Sequence, residues 1–376
     1  MGIAFDAKRI FYNFTGLGNY SRTLVRELLS RQPQMTAYLM SPGVQERSET
    51  TDFLQNPSCE IIVPGPLRKP FWRSRGMIGD LKKIKPDLYH GLSNELPFGI
   101  DRSGIPSVVT IHDLIFRRFP DQYGRWDRAV YDRKFKYACE ATTRIVAISE
   151  ATKADIVSSY GIPPQKIEVI YQACDERFLI PFPSSGLPQV VSQLDLPNQY
   201  SLYLGSLIER KNLMGIIEAM ALLPTELRHP LVVVGRGERY KKLCLQRADE
   251  LQIDDLLLFR SVENEDLPAL YQGARCFLYP SLAEGFGIPV IEALNSGTPV
   301  ITSNISSLPE AAGPDSLLIN PGDPTEIAEA WQRLLEDDAL HKHLAKSGRS
   351  YAKRFRSEVV VPQIFDLYAR LKVGDN

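Results

Sequence analysis

The 376-residue chain carries 44 basic and 45 acidic residues, a balance that argues against bulk binding to nucleic acid. Its 44% hydrophobic and 24% charged residues are typical of a globular protein, and its length predicts two domains. The five cysteines are scattered, so they predict neither a disulfide framework nor a zinc site, and a reducing cytoplasm is the expected location. Met1–Asp6 is predicted as a first strand rather than a secretion signal, and no apolar run is long enough to span a membrane.

Short apolar runs alternate with longer amphipathic segments along the chain, which predicts parallel sheets wound with helices. Helices are expected between the strands, for example Asn19–Arg31 and Ser149–Tyr160. The strands predicted in the first half are Ile3–Phe5, Ala37–Met40, Cys59–Val63, Leu88–His90, Ser107–Ile111, Arg144–Ile148 and Ile167–Ile170.

The same alternation restarts in the second half, after the turn-rich segment Pro181–Pro188, which is predicted to be a linker. The predicted class is therefore α/β, with two doubly wound, Rossmann-like domains and a ligand cleft between them. The strands predicted here are Tyr200–Leu204, Leu231–Val234, Leu256–Phe259, Cys276–Tyr279, Pro299–Thr302 and Leu317–Ile319.

Two motifs follow strands of the first half. Gly16 and Gly18 stand between the first strand and a helix, but Ser21 occupies the place of the third glycine of a dinucleotide fingerprint, so a tight turn is favoured when they are taken alone. His112 follows a run of β-branched residues, Val108–Ile111, and the residues alone favour a histidine held by local hydrogen bonds.

Arg210 and Lys211 lie between a predicted strand and a helix, after the loop residues Gly205 and Ser206. Two cations at a helix start oppose the helix macrodipole, and a bound anion would reverse that mismatch. Fixed cations can also stabilise the charge that develops on a leaving diphosphate. A solvated charge pair is the alternative interpretation.

Two glutamates, Glu284 and Glu292, stand eight positions apart around a loop with Gly285 and Gly287. Pro289 suits the first turn of a helix, so Glu292 is expected about one turn inside it. The amides at a helix start attract polar or anionic groups, and a carboxylate nearby accepts two hydroxyl donors, as from a vicinal diol. Without further context, two unrelated surface carboxylates would be the default interpretation.

The segment Pro280–Leu294 closely resembles the Glu-x7-Glu signature of retaining glycosyltransferases of the family 4 type (glycosyl transferases group 1), which have the GT-B fold. Gly297–Ser303 and Ser307–Glu310 also fit that family's pattern. Leu258–Leu270 resembles its base-binding segment, although Arg260 stands where the family usually has glycine, which leaves the base contacts open.

The resemblance implies a role for each matched residue. Glu292 would bind the nucleotide ribose, Glu284 would face the donor sugar, and Arg210 and Lys211 would bind the diphosphate. The implied catalytic residues are His112, Arg210, Lys211 and Glu284. The implied donor-binding residues are Gly16, Gly18, Gly205, Ser206, Gly235, Arg260, Phe286, Gly287, Ile288 and Glu292.

The resemblance also implies the domain layout and the substrates. An acceptor-side domain, residues 1–180, would include a final helix within 358–376 that crosses back, and residues 189–357 would bind the nucleotide sugar. GDP-mannose is the expected donor, a lipid-linked or cell-surface glycan the acceptor, and no metal or other cofactor is expected. A GT-B sugar-nucleotide epimerase and a non-enzymatic, two-domain sugar-binding protein are the alternatives.

Two stretches combine basic and aromatic residues. The first, between Leu67 and Lys85, includes Arg68, Lys69, Arg73, Arg75, Lys82, Lys83 and Lys85. The second, between Phe116 and Tyr137, includes Arg117, Arg118, Arg125, Trp126 and Arg128. Solvated faces and a peripheral membrane patch for an anionic, lipid-linked acceptor are both open interpretations.

Overall fold

The computed structural model describes residues 1–65, 71–183 and 187–373. They divide into two units: Met1–Ala173 with the segment that begins at Ser357, and Cys174–Arg356. This division falls before the turn-rich segment Pro181–Pro188, of which residues 184–186 lie outside the described part.

The first unit is built on a parallel sheet whose strand order is β3-β2-β1-β4-β5-β6-β7. Its strands are β1 (Gly2–Asp6), β2 (Thr36–Met40), β3 (Cys59–Ile62), β4 (Leu88–Gly91), β5 (Ser107–Ile111), β6 (Arg144–Ala147) and β7 (Ile167–Val169). Its helices are α1 (Lys8–Tyr12), α2 (Gly16–Arg31), α3 (Thr51–Gln55), α4 (Met77–Ile84), α5 (Ile115–Arg118), α6 (Arg125–Ala141), α7 (Glu150–Tyr160) and, at the end of the chain, α16 (Ser357–Val373).

The second unit repeats the architecture with a parallel sheet in the order β10-β9-β8-β11-β12-β13. Its strands are β8 (Ser201–Leu204), β9 (Leu231–Val234), β10 (Leu257–Arg260), β11 (Cys276–Tyr279), β12 (Val300–Ser303) and β13 (Leu317–Ile319). Its helices are α8 (Leu187–Gln193), α9 (Leu213–Leu222), α10 (Glu238–Glu250), α11 (Leu267–Gly273), α12 (Ile288–Ser296), α13 (Leu308–Ala312), α14 (Pro324–Glu336) and α15 (Asp338–Ala352).

Local chemistry fixes several helix ends. Ser149 accepts a hydrogen bond from the amide of Thr152 at the start of α7, and Gly161 ends that helix in the left-handed conformation. Gly297, at φ 82°, ends α12 in the same way. The boundaries of α7 agree with the helix Ser149–Tyr160 that the sequence predicts.

The predicted strands are all present, each with its ends within one residue of the prediction. One helix start was placed wrongly, because α2 begins at Gly16 and not at Asn19. Gly16 and Gly18 therefore lie in the first helical turn rather than in a loop. The amide of Gly18 donates to Asn13 Oδ1 at 3.0 Å, and this contact from outside the helix supports the two glycines.

The final helix belongs to the core of the first unit. Val360, Ile364, Leu367 and Leu371 are all at most 6% exposed and pack in one cluster with Ile3 and Phe5 of β1. Tyr368, on the same helix, donates or accepts a 2.5 Å hydrogen bond with His90 Nδ1 on β4. The predicted apolar face of this helix is thus buried against the sheet.

Candidate active site

The strand order of the second sheet reverses between β8 and β11, and such switch points are where open α/β sheets bind ligands. Arg210 and Lys211 follow β8 in a short 3-10 turn, and Glu284 follows β11. Because β8 and β11 are neighbours, these three residues meet at one edge of the sheet. Their side chains are 11%, 13% and 10% exposed, in that order.

A shared carboxylate oxygen holds this cluster together. Lys211 Nζ donates to Glu284 Oε1, and to Tyr279 Oη at 2.6 Å. Tyr279 Oη donates to the same Oε1 at 3.0 Å, and Arg210 Nη1 lies 3.5 Å from it. Arg210 also donates to the backbone carbonyl of Ala283. Tyr279 was not singled out in the sequence, where it reads only as the end of a buried strand.

The cluster carries two positive charges against one negative charge. Burial alone would raise the pKa of Glu284, but the charges of Lys211 and Arg210 outweigh it and hold that pKa below its ordinary value. Glu284 therefore supplies part of the negative charge that the cations require. Among the described residues, Nε of Arg210 is buried without a hydrogen-bond partner. The three side chains together carry a net charge of +1.

Asn212 explains how a helix begins directly after two cations. It adopts the left-handed conformation, at φ 57°, and its side chain accepts a hydrogen bond from the amide of Gly215 at 3.2 Å. Its amide nitrogen donates to the carbonyl of Pro321 at 2.7 Å. This cap provides a hydrogen-bond acceptor for an amide at the start of α9 without a negative charge. Arg210 and Lys211 are therefore held just outside α9.

Glu292 lies one turn inside α12, as predicted, in an environment unlike that of Glu284. Its Oε2 accepts a hydrogen bond from Tyr271 Oη at 3.0 Å. Burial raises the pKa of Glu292 to about 8, and the hydrogen bond from Tyr271 offsets only part of that effect. Near pH 7, Glu284 is therefore ionised and Glu292 is mostly protonated, a separation that environment alone creates.

Two serines fix the loop between the glutamates. Ser306 Oγ donates to the carbonyl of Glu284 at 2.8 Å, and Ser307 Oγ lies 2.9 Å from the carbonyls of both Glu284 and Phe286. Phe286 itself is 3% exposed, so its ring is packed inside the unit. Gly287, at φ 122°, precedes Ile288 at the start of α12. Ser306 was missed in the sequence, where its position carries no recognisable signal.

The loops after β8 and β9 are in close contact. The amide of Gly205 donates to the carbonyl of Val234 at 2.9 Å, and a Cβ on Gly235 would lie 1.9 Å from the carbonyl oxygen of Gly205. Ser206, in the same loop, is exposed. Only glycine allows this approach at position 235.

A cavity of about 300 Å³ opens at the ends of β9 and β10. Gly235, Lys241, Phe259 and Arg260 are among the residues that line it. The guanidinium of Arg260 donates to the carbonyls of Leu194 and Asp195, at 2.7 and 2.9 Å, so it braces a neighbouring turn. Contact between Arg260 and the nucleotide-sugar donor stays a prediction.

His112 is buried in the first unit, and both of its ring nitrogens have partners. Nε2 lies 2.9 Å from the carbonyl of Leu92, which makes it the donor, and the Gln172 side-chain amide donates to Nδ1 at 2.9 Å. Burial lowers the pKa of His112 to about 4, so the ring is neutral near pH 7. Tyr20 packs edge-on against it, with the ring centroids 4.8 Å apart. These contacts match the local hydrogen bonding that the residues alone favoured.

The described residues of the basic run between Leu67 and Lys85 are not all solvated surface cations. Leu67, Arg68 and Lys69 lie outside the described residues. Arg73 is not a surface cation, because it pairs with Asp6 at 2.7 Å and with Glu95 at 2.8 Å. The remaining described cations of the run are exposed: Arg75, Lys82, Lys83 and Lys85.

Two further findings concern metals and membranes. The described residues include no group of three or more His, Cys, Asp and Glu side chains arranged to hold a metal ion. Every helix in the described ranges also falls short of the length or apolarity that a membrane span requires.

Comparison with known proteins decides the family. The model of glycosyl transferases group 1 matches residues 189–351, and that of glycosyltransferase family 4 matches residues 14–178. The chain belongs to the group 1, family 4 type of glycosyltransferases. The resemblance in the Glu284–Glu292 segment is thereby confirmed, and the protein is a glycosyltransferase.

Its relatives include several mannosyltransferases. The O-antigen chain mannosyltransferase B of Escherichia coli is 29% identical, over 99% of this chain and 100% of that protein. The MMP alpha-(1->4)-mannosyltransferase of Mycolicibacterium hassiacum is 27% identical, over 72% of this chain and 67% of that protein.

Solved structures confirm the predicted GT-B fold. Anabaena HepE in complex with UDP and glucose has a TM-score of 0.75 at 18% identity, over 98% of this chain and 99% of that chain. Sucrose-phosphate synthase from Thermosynechococcus elongatus has a TM-score of 0.77 at 22% identity, over 99% of both chains.

Proposed function

We propose that this glycosyltransferase moves mannose from GDP-mannose to a lipid-linked or cell-surface glycan, with retention of configuration at the anomeric carbon and without a metal ion. The observation that carries the proposal is the Arg210–Lys211–Glu284 cluster, with two cations, one carboxylate and an unpartnered Arg210 Nε. The choice of mannose rests on the mannosyltransferases among its relatives.

The cluster suits a leaving diphosphate. When the bond between the sugar carbon and the phosphate oxygen breaks, the electron pair stays on the diphosphate, and its negative charge increases. Arg210 and Lys211 are already fixed by Glu284, Tyr279 and the Ala283 carbonyl, so they stabilise that charge with little reorganisation. A metal ion serves the same purpose in other enzymes, and the proposal gives that role to these two side chains.

The remaining residues would hold the donor. The proposal places the ribose at Glu292, sugar hydroxyls at Glu284 and at the amides around Gly287 and Ile288, and the nucleoside near the cavity beside Gly235. His112, kept neutral by burial, would contact the sugar, as the family resemblance implies, and would not act as a nucleophile. A cytoplasmic location, expected from the cysteines, stays a prediction.

Calorimetry with GDP-mannose, UDP-glucose and ADP-glucose tests the donor, and transfer assays with and without EDTA test the metal. We expect GDP-mannose to bind most tightly and transfer to continue in EDTA, with the product anomer matching the donor when examined by proton NMR. Tighter binding of a UDP sugar would overturn the choice of donor. A strict requirement for a divalent metal would overturn the role of the two cations.

Calorimetry with free mannose, and incubation of GDP-mannose without an acceptor, separate the alternatives. An epimerase would convert the sugar nucleotide without any acceptor, and a sugar-binding protein would bind free mannose as tightly as GDP-mannose. Either result would contradict the proposal.

Replacing Glu292 by glutamine should weaken donor binding and remove its dependence on pH. Hydroxyl donors favour the ionised carboxylate, so wild-type affinity should rise by up to about tenfold per pH unit as the pH approaches the pKa of about 8, then level off. Above that pH, Glu292→Gln should cost about 1.5–3 kcal/mol of binding energy, because a charge-assisted hydrogen bond is lost.

Titration calorimetry of the donor between pH 6 and pH 9 makes this measurement on both proteins. Glu329→Gln, at an exposed site on α14, is the matched control and should behave as wild type. Equal affinities for Glu292→Gln and wild type across this range would rule out ribose binding by Glu292.

A further inference from the structure

Helix α6 of the first unit borders a cavity of about 430 Å³ that lies outside the proposed donor site. Three arginines and one aspartate line it, together with Phe116, Pro120 and Ala129. Arg125, Arg128 and Asp132 come from one face of α6, at the spacing i, i+3 and i+7, and Arg117 comes from α5. The cavity therefore has an excess of two positive charges.

Internal pairing neutralises one of these arginines but not the other two. Arg117 Nη1 lies 3.0 Å from Asp132 Oδ1, which also accepts a hydrogen bond from Tyr160 Oη at 3.1 Å. Within the described part of the chain, neither Arg125 nor Arg128 has a carboxylate within ion-pair distance. Two guanidinium groups therefore face the cavity with their charge uncompensated, and guanidinium is well suited to binding phosphate through paired hydrogen bonds.

Exposed apolar side chains lie on α6 beside the basic stripe formed by Arg125 and Arg128. Trp126 is 88% exposed and Val130, four residues later on the same side, is 49% exposed. An indole exposed to this extent buries little apolar surface against the described residues, and tryptophan is enriched where proteins meet the membrane interface. The opposite face of α6, with Phe135, Ala138 and Cys139, is buried in the core.

We propose that this face of α6 docks on an anionic phospholipid bilayer, with a lipid phosphate in the arginine-lined cavity and Trp126 at the boundary between headgroups and acyl chains. Adjacent basic and apolar stripes on one helix are the features that bind such a surface, because the charges attract anionic lipid and the apolar side chains insert. The proposal concerns membrane attachment only and does not depend on which nucleotide sugar is the donor.

The tryptophans of the chain offer a direct reporter. The sequence has three, of which Trp72 and Trp331 are 1% and 0% exposed, so Trp126 is the one that senses the solvent. Vesicles of phosphatidylglycerol mixed with phosphatidylcholine should shift the fluorescence emission of the wild-type protein to shorter wavelength. Vesicles of pure phosphatidylcholine should not, and added salt should weaken the response. Trp126→Phe should abolish the shift.

Charge-neutralising variants test the cavity. The double variant Arg125→Ala/Arg128→Ala should reduce affinity for the anionic vesicles about 20-fold or more in a sedimentation assay, since each cation contributes about fivefold. Lys342→Ala/Lys346→Ala, which removes two exposed cations from α15 of the second unit, is the matched control and should bind as wild type. Both variants should keep the wild-type unfolding midpoint and wild-type turnover with a water-soluble acceptor.

Three results would overturn the proposal. One is the absence of an emission shift with anionic vesicles, and another is an equal shift with pure phosphatidylcholine. The third is a double variant that sediments with vesicles as wild type does. If inorganic phosphate alone shifted the emission and vesicles did not, the cavity would be a site for a free phosphate and the bilayer assignment would be wrong. Loss of turnover with a soluble donor and acceptor would instead concern the proposed function.

Discussion

Replacing Lys211 by alanine should lower the turnover number about 100-fold or more, while donor affinity falls much less. Leaving-group charge is greatest in the transition state, so an ammonium group aimed at the diphosphate acts mainly there. Arg210→Ala should behave similarly, because both cations share Glu284 Oε1. Steady-state kinetics with a titrated donor measure the two effects separately.

Controls distinguish this mechanism from a loss of folding. Lys211→Ala also removes the nearest cation from Glu284, so the unfolding midpoint must be compared with that of wild type. Lys242→Ala, at an exposed site on α10, should leave turnover unchanged. Lys211→Arg should restore little activity, since a planar guanidinium does not reproduce the bonds of Nζ to Tyr279 and Glu284. Turnover near wild type in the alanine variants would exclude the diphosphate role.

Gly18→Ala should destabilise the first unit strongly, and Gly16→Ala should not. A Cβ on Gly18 would lie 1.6 Å from the carbonyl oxygen of Asn13, whereas a Cβ on Gly16 would have no atom within 4 Å. Because the obstructing atom is backbone, the turn before α2 has to move, at a cost of about 1–3 kcal/mol or more. Gly16→Ala should be neutral or slightly stabilising, since alanine favours a helix over glycine.

Thermal unfolding monitored by circular dichroism compares the two variants, with each serving as the other's control. A cost of this size corresponds to a decrease of about 2–12 °C in Tm for a unit of this length. Equal Tm values would show that the turn adjusts freely around position 18. Donor titration adds a second readout, because weaker binding by a stable Gly16→Ala variant would support the donor role of this turn.

The sequence by itself determined where the strands lie and which residues are candidates for the site. Strands buried on both faces are apolar runs, as in Cys276–Tyr279, and such a run is recognisable from the sequence alone. The family motif likewise depends on local order, so Glu284, Glu292, Arg210 and Lys211 were recognisable without a structure. The start of α2 was missed, because two glycines have low helix propensity and the side chain of Asn13 supports the first turn from outside.

Only the tertiary structure decided how these residues act on one another. The pairing of β8 with β11 brings Lys211 to Glu284 across 73 positions of sequence, and strand order is not encoded in any local pattern. Burial and neighbouring groups then move the pKa values of the two glutamates in opposite directions. Glu284 faces two cations, whereas Glu292 faces the hydroxyl of Tyr271. For the same reason Arg73, a surface cation by composition, is an internal ion-pair partner of Asp6 and Glu95. Charge state and pairing depend on neighbours in space, and distant segments supply those neighbours only when the chain is folded.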